Sequence, residues 1–251
     1  MNLNWLVARP IAHRGKHDRA RGVIENSFDA ADGARASGCA IECDVQMSAD
    51  GEAFVFHDET LDRLIGATGC FRDKTSAELA RMQLVGSVGN ASIPTLGALL
   101  NRIAGRVPLI IEIKSLFDGD MRLAERTARL AADHAGCVAL KSFDPAIVAH
   151  LRRSGLCEKI PLGIVAEARF DDAEWAFLGK EQKQSLACLL HWRETQPDFL
   201  SFCVRDLPHA AVTLARVALR MPVMTWTVRT PKHWDIARRH ADQAIFEGPL
   251  P

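Results

Sequence analysis

The sequence predicts an α/β fold, a TIM (β/α)8 barrel formed by one chain with a small insertion after the second strand. Short apolar runs alternate with helical segments over 251 residues, and this length is typical of such a barrel. Several runs are apolar almost throughout, as in PLIIEIK at 108–114, which indicates parallel strands buried on both faces. Repeated strand–helix units in a chain of this length favour a closed barrel over an open sheet.

Eight segments have the length and composition of strands. Each contains a short run of β-branched or other apolar residues between turn or helix signals. The final residues of several runs are charged or polar, and in a barrel these positions lie at the end where active sites form. The predicted strands cover residues 10–13, 39–46, 107–114, 137–142, 160–166, 198–204, 222–228 and 243–246.

Residues that commonly begin and end helices occur between these strands. Thr95 is a predicted N-cap for a helix that ends at Gly105, and Asp144 and Thr230 each precede a proline that can occupy the first helical turn. The stretch 174–192 has the pattern of one amphipathic helix facing the core.

The segment between the second and third predicted strands interrupts this alternation. It begins with a hairpin-like piece at 48–57, in which Asp50 and Gly51 form a turn signal. We therefore expect a single barrel domain over residues 1–251, with an insertion over approximately 47–93.

Bulk composition excludes several classes of protein. Lys plus Arg and Asp plus Glu number 31 each, so no net charge attracts the chain to nucleic acid or to an anionic membrane. No apolar run reaches the about 20 residues of a membrane span, and the seven cysteines form no C-x-x-C pair. The first residues lack a developed signal peptide, so we expect a cytoplasmic protein without stable membrane insertion; its oligomeric state stays open.

Glu42 and Asp44 are the first candidate site residues. They lie two apart in a predicted strand, so both side chains point to the same face. Burying two like charges is costly unless a cation neutralises them. A solvated edge strand would also tolerate two acids, but the flanking apolar residues argue against an edge.

Glu112 and Lys114 repeat this spacing at the end of the third predicted strand. A salt bridge at a strand end would explain the pair by itself. In a barrel, however, Glu112 would join Glu42 and Asp44 at one site. Three carboxylates form an all-oxygen site, which favours Mg²⁺ or Ca²⁺ over zinc.

His13 and His57 each follow a short β run. A single histidine in such a position is more often structural, but two near the acidic cluster favour proton transfer at neutral pH. Arg14, next to His13, can bind a phosphate through paired hydrogen bonds. The alternative role for Arg14 is a surface ion pair.

These segments together resemble the glycerophosphodiester phosphodiesterase family, and the resemblance spans nearly the whole chain. The motifs that carry it occur in the family's order. They are H-R-G at 13–15, E-N-S at 25–27, E-x-D at 42–44, H-D at 57–58, L-D-R at 61–63, P-T-L at 94–96, E-I-K at 112–114, S-F at 142–143 and W-T-V at 226–228.

The resemblance implies metal-dependent hydrolysis of a small-molecule glycerophosphodiester to sn-glycerol 3-phosphate and an alcohol. It implies that His13 and His57 are the acid–base pair and that Arg14, Lys114 and Trp226 contact the substrate. The implied ligands of one Mg²⁺ or Ca²⁺ ion are Glu42, Asp44 and Glu112. Two alternatives stay open: a phospholipase-type enzyme acting on lysophospholipids or related lipids, and a non-catalytic barrel that binds phosphodiesters.

The chain departs from the family pattern at four positions. Ser27 replaces a threonine, Arg229 stands where asparagine is common, and near the C-terminus Phe246 replaces a threonine and Glu247 an aspartate. We expect these departures to alter the floor of the pocket and the range of substrates, and not to contact the catalytic residues.

Overall fold

The computed structural model of the protein describes residues 2–251, and eight of its strands close a parallel barrel. The first barrel strand pairs with both the second and the last, which completes the ring. The predicted barrel is therefore confirmed, although its first strand is only two residues long. The strands are β1 (Ile11–Ala12), β2 (Ala40–Met47), β3 (Ala53–Val55), β4 (Leu109–Ile113), β5 (Val138–Ser142), β6 (Leu162–Ala166), β7 (Phe199–Cys203), β8 (Val223–Val228) and β9 (Gln243–Phe246).

Helices alternate with the barrel strands, as the sequence predicted. Thr95, Asp144 and Thr230 each accept a hydrogen bond from a backbone N–H in the first turn of the helix that follows. The α-helices are α1 (Phe28–Ala36), α2 (Asp62–Ile65), α3 (Ser76–Leu79), α4 (Leu96–Ile103), α5 (Arg122–Ala132), α6 (Pro145–Ser154), α7 (Lys180–Ala187), α8 (Trp192–Thr195), α9 (Ala210–Thr213) and α10 (Pro231–His240), with 3₁₀ turns at Asn4–Leu6, Arg19–Arg21, Phe71–Asp73, Ala173–Trp175 and Val204–Asp206 and a π-helical turn at Leu214–Ala218.

The prediction of one helix over 174–192 is wrong. A 3₁₀ turn at Ala173–Trp175 is followed by the separate helices α7 and α8. Gly179 has an extended backbone and precedes α7, so the chain changes direction before that helix begins. The pattern was misleading because the aromatic residues at its start pack with one another in a loop instead of on a helix face.

The insertion after β2 begins with an antiparallel strand. β3 pairs with the end of β2, with Val45 opposite Val55. The segment then forms a small core of its own that includes Phe54, Phe56 and Phe71, and the rings of Phe56 and Phe71 stack with centroids 4.7 Å apart. This core fixes the position of the loop after β3, which contributes to the candidate site.

Two further cores support the barrel. Apolar residues on its outward face pack under the helices, and a second group fills the amino-terminal part of the barrel interior. The interior group consists of Leu6, Ile11, Ala40, Ile110, Ala139, Phe199, Met224 and Ile245.

No helix among residues 2–251 is both long and apolar enough to cross a membrane.

Candidate active site

Three carboxylates meet at the carboxyl-terminal end of the barrel. Asp44 on β2 is in register with Glu112 on β4, which is in register with Lys141 on β5. Glu42 lies two residues before Asp44 on β2 and therefore shares its inward face. One oxygen from each of the three carboxylates lies within 4.8 Å of the other two, and all three residues are buried.

Two lysines neutralise much of this buried charge. Lys114 Nζ lies 2.9 Å from Asp44 Oδ1 and also contacts Glu112 Oε1. Lys141 Nζ lies 2.9 Å from Glu42 Oε1 and 3.1 Å from Glu112 Oε2, and Lys141 is only 2% exposed. Lys141 was not predicted as a site residue; the signal that indicates it is a lysine within the otherwise apolar β5.

Asp44, Glu112 and the two lysines are held in their ionised forms. Burial by itself would raise the pKa of each acid, but Lys114 and Lys141 outweigh it and lower the pKa of Glu112 to about 2. The pKa of Asp44 is also held well below its usual range, and among the neighbouring groups Lys114 contributes most to this effect. Burial also opposes charge on Lys114 and Lys141, yet the facing carboxylates raise the pKa of both.

Arg14 is held against the pocket wall by two acids. Its Nη1 donates to Glu25 Oε1 at 2.6 Å, and its Nε lies 3.2 Å from Asp44 Oδ2. Glu25 also accepts two hydrogen bonds from Arg63, and these two arginines lower the pKa of Glu25 to about 2 despite its burial. The amide of Asn26 donates to Asp44 Oδ2 at 3.0 Å. The E-N-S motif therefore orients the charged groups of the site.

Each candidate catalytic histidine has a carboxylate partner. His13 Nδ1 lies 2.6 Å from Glu247 Oε1, and His57 Nδ1 lies 2.8 Å from Asp58 Oδ1. An ionised carboxylate can only accept a hydrogen bond, so Nδ1 carries the proton in both rings and Nε2 is left to exchange a proton with a ligand. Nε2 of His13 lies 3.9 Å from Glu42 Oε2.

Two departures from the family pattern contact each other. Arg229 Nε and Nη2 donate to the carboxylate of Glu247 at 2.6 and 2.8 Å, and Glu247 in turn holds His13. Although burial opposes it, His13 and Arg229 keep the pKa of Glu247 well below its usual range. The expectation that these departures do not contact the candidate catalytic residues is therefore wrong, because the Glu247 carboxylate contacts His13 directly.

These groups surround one cavity of about 670 Å³, a volume suited to a small ligand. Trp226 on β8 lines it, and its ring N–H donates to the carbonyl of Ser201 at 3.0 Å. The cavity thus brings together the sequence-derived candidates except Glu42, which is fully buried immediately beneath it. Its opposite wall is aromatic and includes Phe117, Trp175 and Phe177.

The carboxylate cluster has the chemistry of a site for a hard divalent cation. Its donors are oxygens alone, as Mg²⁺ and Ca²⁺ prefer, and their spacing allows one ion to contact all three. Glu42 Oε1 is buried and lies 2.9 Å from Lys141 Nζ, so a metal ion at this oxygen would share it with Lys141 or displace the ammonium group.

Comparisons with known proteins agree with this geometry. A sequence model of the glycerophosphoryl diester phosphodiesterase family matches residues 13–246. A glycerophosphodiester phosphodiesterase of Caldanaerobacter subterraneus is 37% identical over 111 residues, which are 42% of this chain and 44% of the relative. One from Bacillus subtilis is 31% identical over 118 residues, which are 42% of this chain and 39% of the relative. The chain thus spans less than half the length of the curated relatives it matches.

Solved structures share the fold across nearly the whole chain. A phosphodiesterase of Oleispira antarctica, in complex with the product sn-glycerol-3-phosphate, superposes with a TM-score of 0.75 at 17% identity and covers 96% of this chain and 94% of its own. A glycerophosphodiester phosphodiesterase of Thermotoga maritima gives a TM-score of 0.69 at 22% identity, with 94% and 92% covered. At these identities the likeness concerns the fold.

Proposed function

The chain belongs to the glycerophosphoryl diester phosphodiesterase family, and from this premise we propose that it hydrolyses small glycerophosphodiesters to sn-glycerol 3-phosphate and an alcohol. One observation carries the proposal. Two histidines with carboxylate partners and a charge-balanced group of acids and cations face a single cavity. This is the set of groups that phosphodiester hydrolysis requires.

The two histidines supply proton transfer. One removes a proton from the nucleophile through Nε2, and the other protonates the departing alkoxide, each step being worth about 10²–10⁴-fold in rate. Asp58 and Glu247 orient the rings and stabilise each imidazolium as it forms. Arg14 and Lys114 neutralise charge on the phosphoryl oxygens in the transition state, and Trp226 lines the part of the cavity that would hold the glycerol.

Glu42, Asp44 and Glu112 are the residues that would hold one Mg²⁺ or Ca²⁺ ion, which supplies further neutralisation of the phosphoryl charge. Lys114 and Lys141 already contact these acids. The lysines therefore keep the acids ionised and in position in the metal-free protein.

A substrate panel with a chelator tests the metal requirement. We expect glycerophosphodiester hydrolysis to fall sharply in EDTA and to return with added Mg²⁺ or Ca²⁺. Full activity in a chelated preparation would remove the metal from the proposal. No activity on any glycerophosphodiester, with activity on lysophospholipids, would favour the phospholipase-type alternative.

Variants of the histidines test the chemistry. The variant that lacks the general acid should fail on glycerophosphocholine but keep activity on a p-nitrophenyl phosphodiester, because p-nitrophenolate leaves without a proton. The variant that lacks the base should fail on both. We therefore compare His13→Ala and His57→Ala, with His150→Ala as the matched control, since His150 is a histidine paired with Glu125 outside the cavity. Unimpaired activity in both variants would exclude the proposed roles.

A further inference from the structure

The aromatic wall of the cavity has a geometry that the hydrolytic chemistry does not require. Phe117, which follows β4, and Trp175 and Phe177, which follow β6, have ring centroids 5.9–6.5 Å apart. Their planes are inclined to one another by 47–88°, so the rings form a corner instead of a flat stack. Phe177 is 52% exposed, so a cation in the cavity can lie within about 6 Å of its ring, which is the range of a cation–π contact, while Phe117 and Trp175 pack behind it.

The chain segment that carries Trp175 and Phe177 is acidic. The segment 167–178 contains Glu167, Asp171, Asp172 and Glu174 but only one basic residue, Arg169. Arg169 pairs with Asp206. Glu174 lines the cavity, is exposed and forms no ion pair with any residue in the range 2–251. A free carboxylate next to three rings favours a cationic ligand over a neutral or anionic one.

The basic residues near this wall are already paired. Arg205 contacts Asp172 at 3.0 Å and Glu167 at 3.8 Å, and Arg72, which also lines the cavity, lies 3.6 Å from Asp118. The potential at the corner is therefore set by the aromatic faces and by Glu174. The cationic groups that suit a phosphate, Arg14 and Lys114, line the same cavity and are themselves paired with acids.

We infer that Phe117, Trp175, Phe177 and Glu174 form the subsite for the leaving alcohol, and that this subsite takes a quaternary ammonium head group such as choline. The inference rests on the proposed hydrolysis of glycerophosphodiesters and names the substrate class within it. A compact cation satisfies both the ring faces and the carboxylate. An acyl or alkyl chain would use the rings but would have to desolvate Glu174 without compensation.

The decisive experiment compares glycerophosphocholine with its neutral isostere, in which a tert-butyl group replaces the trimethylammonium group. We expect the native enzyme to have a KM for the choline ester that is lower by roughly tenfold, the combined value of several cation contacts. Phe177→Ala should raise this KM by about two- to fivefold, the value of one exposed cation–π contact, and leave kcat within about twofold. Glu174→Gln should raise the KM for the choline ester and leave that for the isostere unchanged.

Matched controls lie outside the cavity. Leu219→Ala removes another exposed apolar side chain, and Glu181→Gln neutralises another exposed acid; neither should change either KM. Equal KM values for the two esters in the native enzyme would overturn the inference, and a preference for the isostere would assign the wall to an apolar alcohol instead.

Binding of choline itself separates this inference from the proposed function. Trp175 lines the subsite, so choline should change tryptophan fluorescence with saturation, tetramethylammonium should compete, and Phe177→Ala should weaken the effect. If neither ester is hydrolysed, the proposed function fails while saturable choline binding still supports the subsite. If glycerophosphodiesters are hydrolysed but choline does not bind, the function stands and the subsite is excluded.

Discussion

Lys141 stands out among the individual residues because its ammonium group is buried among the proposed metal ligands. It pairs with Glu42 and Glu112, while Lys114 pairs with Glu112 and Asp44. With Arg14 beside Asp44, every acid of the cluster has an internal cation. The cluster is therefore electrically balanced by the chain itself, and a metal ion would have to compete with Lys141 for the same oxygens.

Replacing Lys141 by methionine tests this balance. We expect Lys141→Met to lower the free energy of unfolding by about 3–5 kcal/mol in the presence of a chelator, because it leaves Glu42 and Glu112 buried without their cation. Added Ca²⁺ should then stabilise the variant more than the native protein, since an ion that binds only the folded state adds stability. Urea denaturation with EDTA or Ca²⁺ measures both effects.

The control is Lys159→Met, which removes an exposed lysine with no ion pair among residues 2–251. It should change the unfolding free energy by less than about 0.5 kcal/mol. A Lys141→Met protein as stable as the native one in EDTA would mean that the acids do not depend on Lys141.

Among the elements, β6 and β7 show how the barrel interior is filled. Gly163 on β6 is in register with Phe199 on β7. A Cβ atom added to Gly163 would lie 2.3 Å from Cε2 of the Phe199 ring, so this ring occupies the space that a side chain at position 163 would need. The glycine is required by close packing, and the ring contributes to the fully buried interior core.

We therefore expect Gly163→Ala to destabilise the protein by about 1–3 kcal/mol, the usual cost of overpacking a core. Denaturation in urea measures this. Gly97→Ala on α4 is the control, because an added Cβ there meets only Leu130 Cδ2 at 3.8 Å. Replacing an uncrowded helical glycine by alanine should raise the free energy of unfolding by about 0.5–1 kcal/mol. The two variants should therefore change this free energy in opposite directions. A stabilised Gly163→Ala would contradict the packing argument.

For the whole molecule, the shifted acids predict how stability depends on pH. The pKa values of Glu25 and Glu112 fall from 4.5 to about 2, and those of Asp44, Asp58 and Glu247 are also lowered. These groups have lower pKa values in the folded state than in the unfolded state. Their contribution to folding stability is therefore complete above about pH 4.5 and is lost as the pH falls towards 2.

Glu167 acts in the opposite direction. Burial, followed by Asp172 and Glu174, raises its pKa from 4.5 to about 7, so its contribution is complete below pH 4.5 and is lost as the pH rises to about 7. His191 opposes this effect over much of the same range, because burial lowers its pKa from 6.5 to about 4 and stability therefore rises as the pH passes from 4 to 6.5. We expect the melting temperature in EDTA to fall steeply on the acid side and to change little between pH 5 and pH 7.

Glu167→Gln should make the melting temperature rise between pH 5 and pH 7, because glutamine does not titrate and the lowered pKa of His191 then acts unopposed, and it should leave the acid side unchanged. Thermal unfolding of both proteins between pH 2 and pH 8 measures the difference. Identical profiles between pH 5 and pH 7 in the two proteins would mean that Glu167 does not contribute to the pH dependence of stability.

Much of the fold follows from local sequence. The eight apolar runs locate the barrel strands because a parallel strand buried on both faces needs apolar residues at nearly every position. Thr95, Asp144 and Thr230 mark helix starts because a cap depends only on the residues next to it. The candidate carboxylates could be found in the same way, since charges within buried strands are costly unless they have a function.

Contacts between distant parts of the chain were decided only by the tertiary structure. His13 and Glu247 are 234 residues apart, and they meet because β1 and β9 pair to close the barrel. Lys141 reaches Glu42 and Glu112 because β2, β4 and β5 are neighbours in register. Local composition records which residues are charged, whereas strand order and register determine which charges meet, and these depend on how the whole barrel closes.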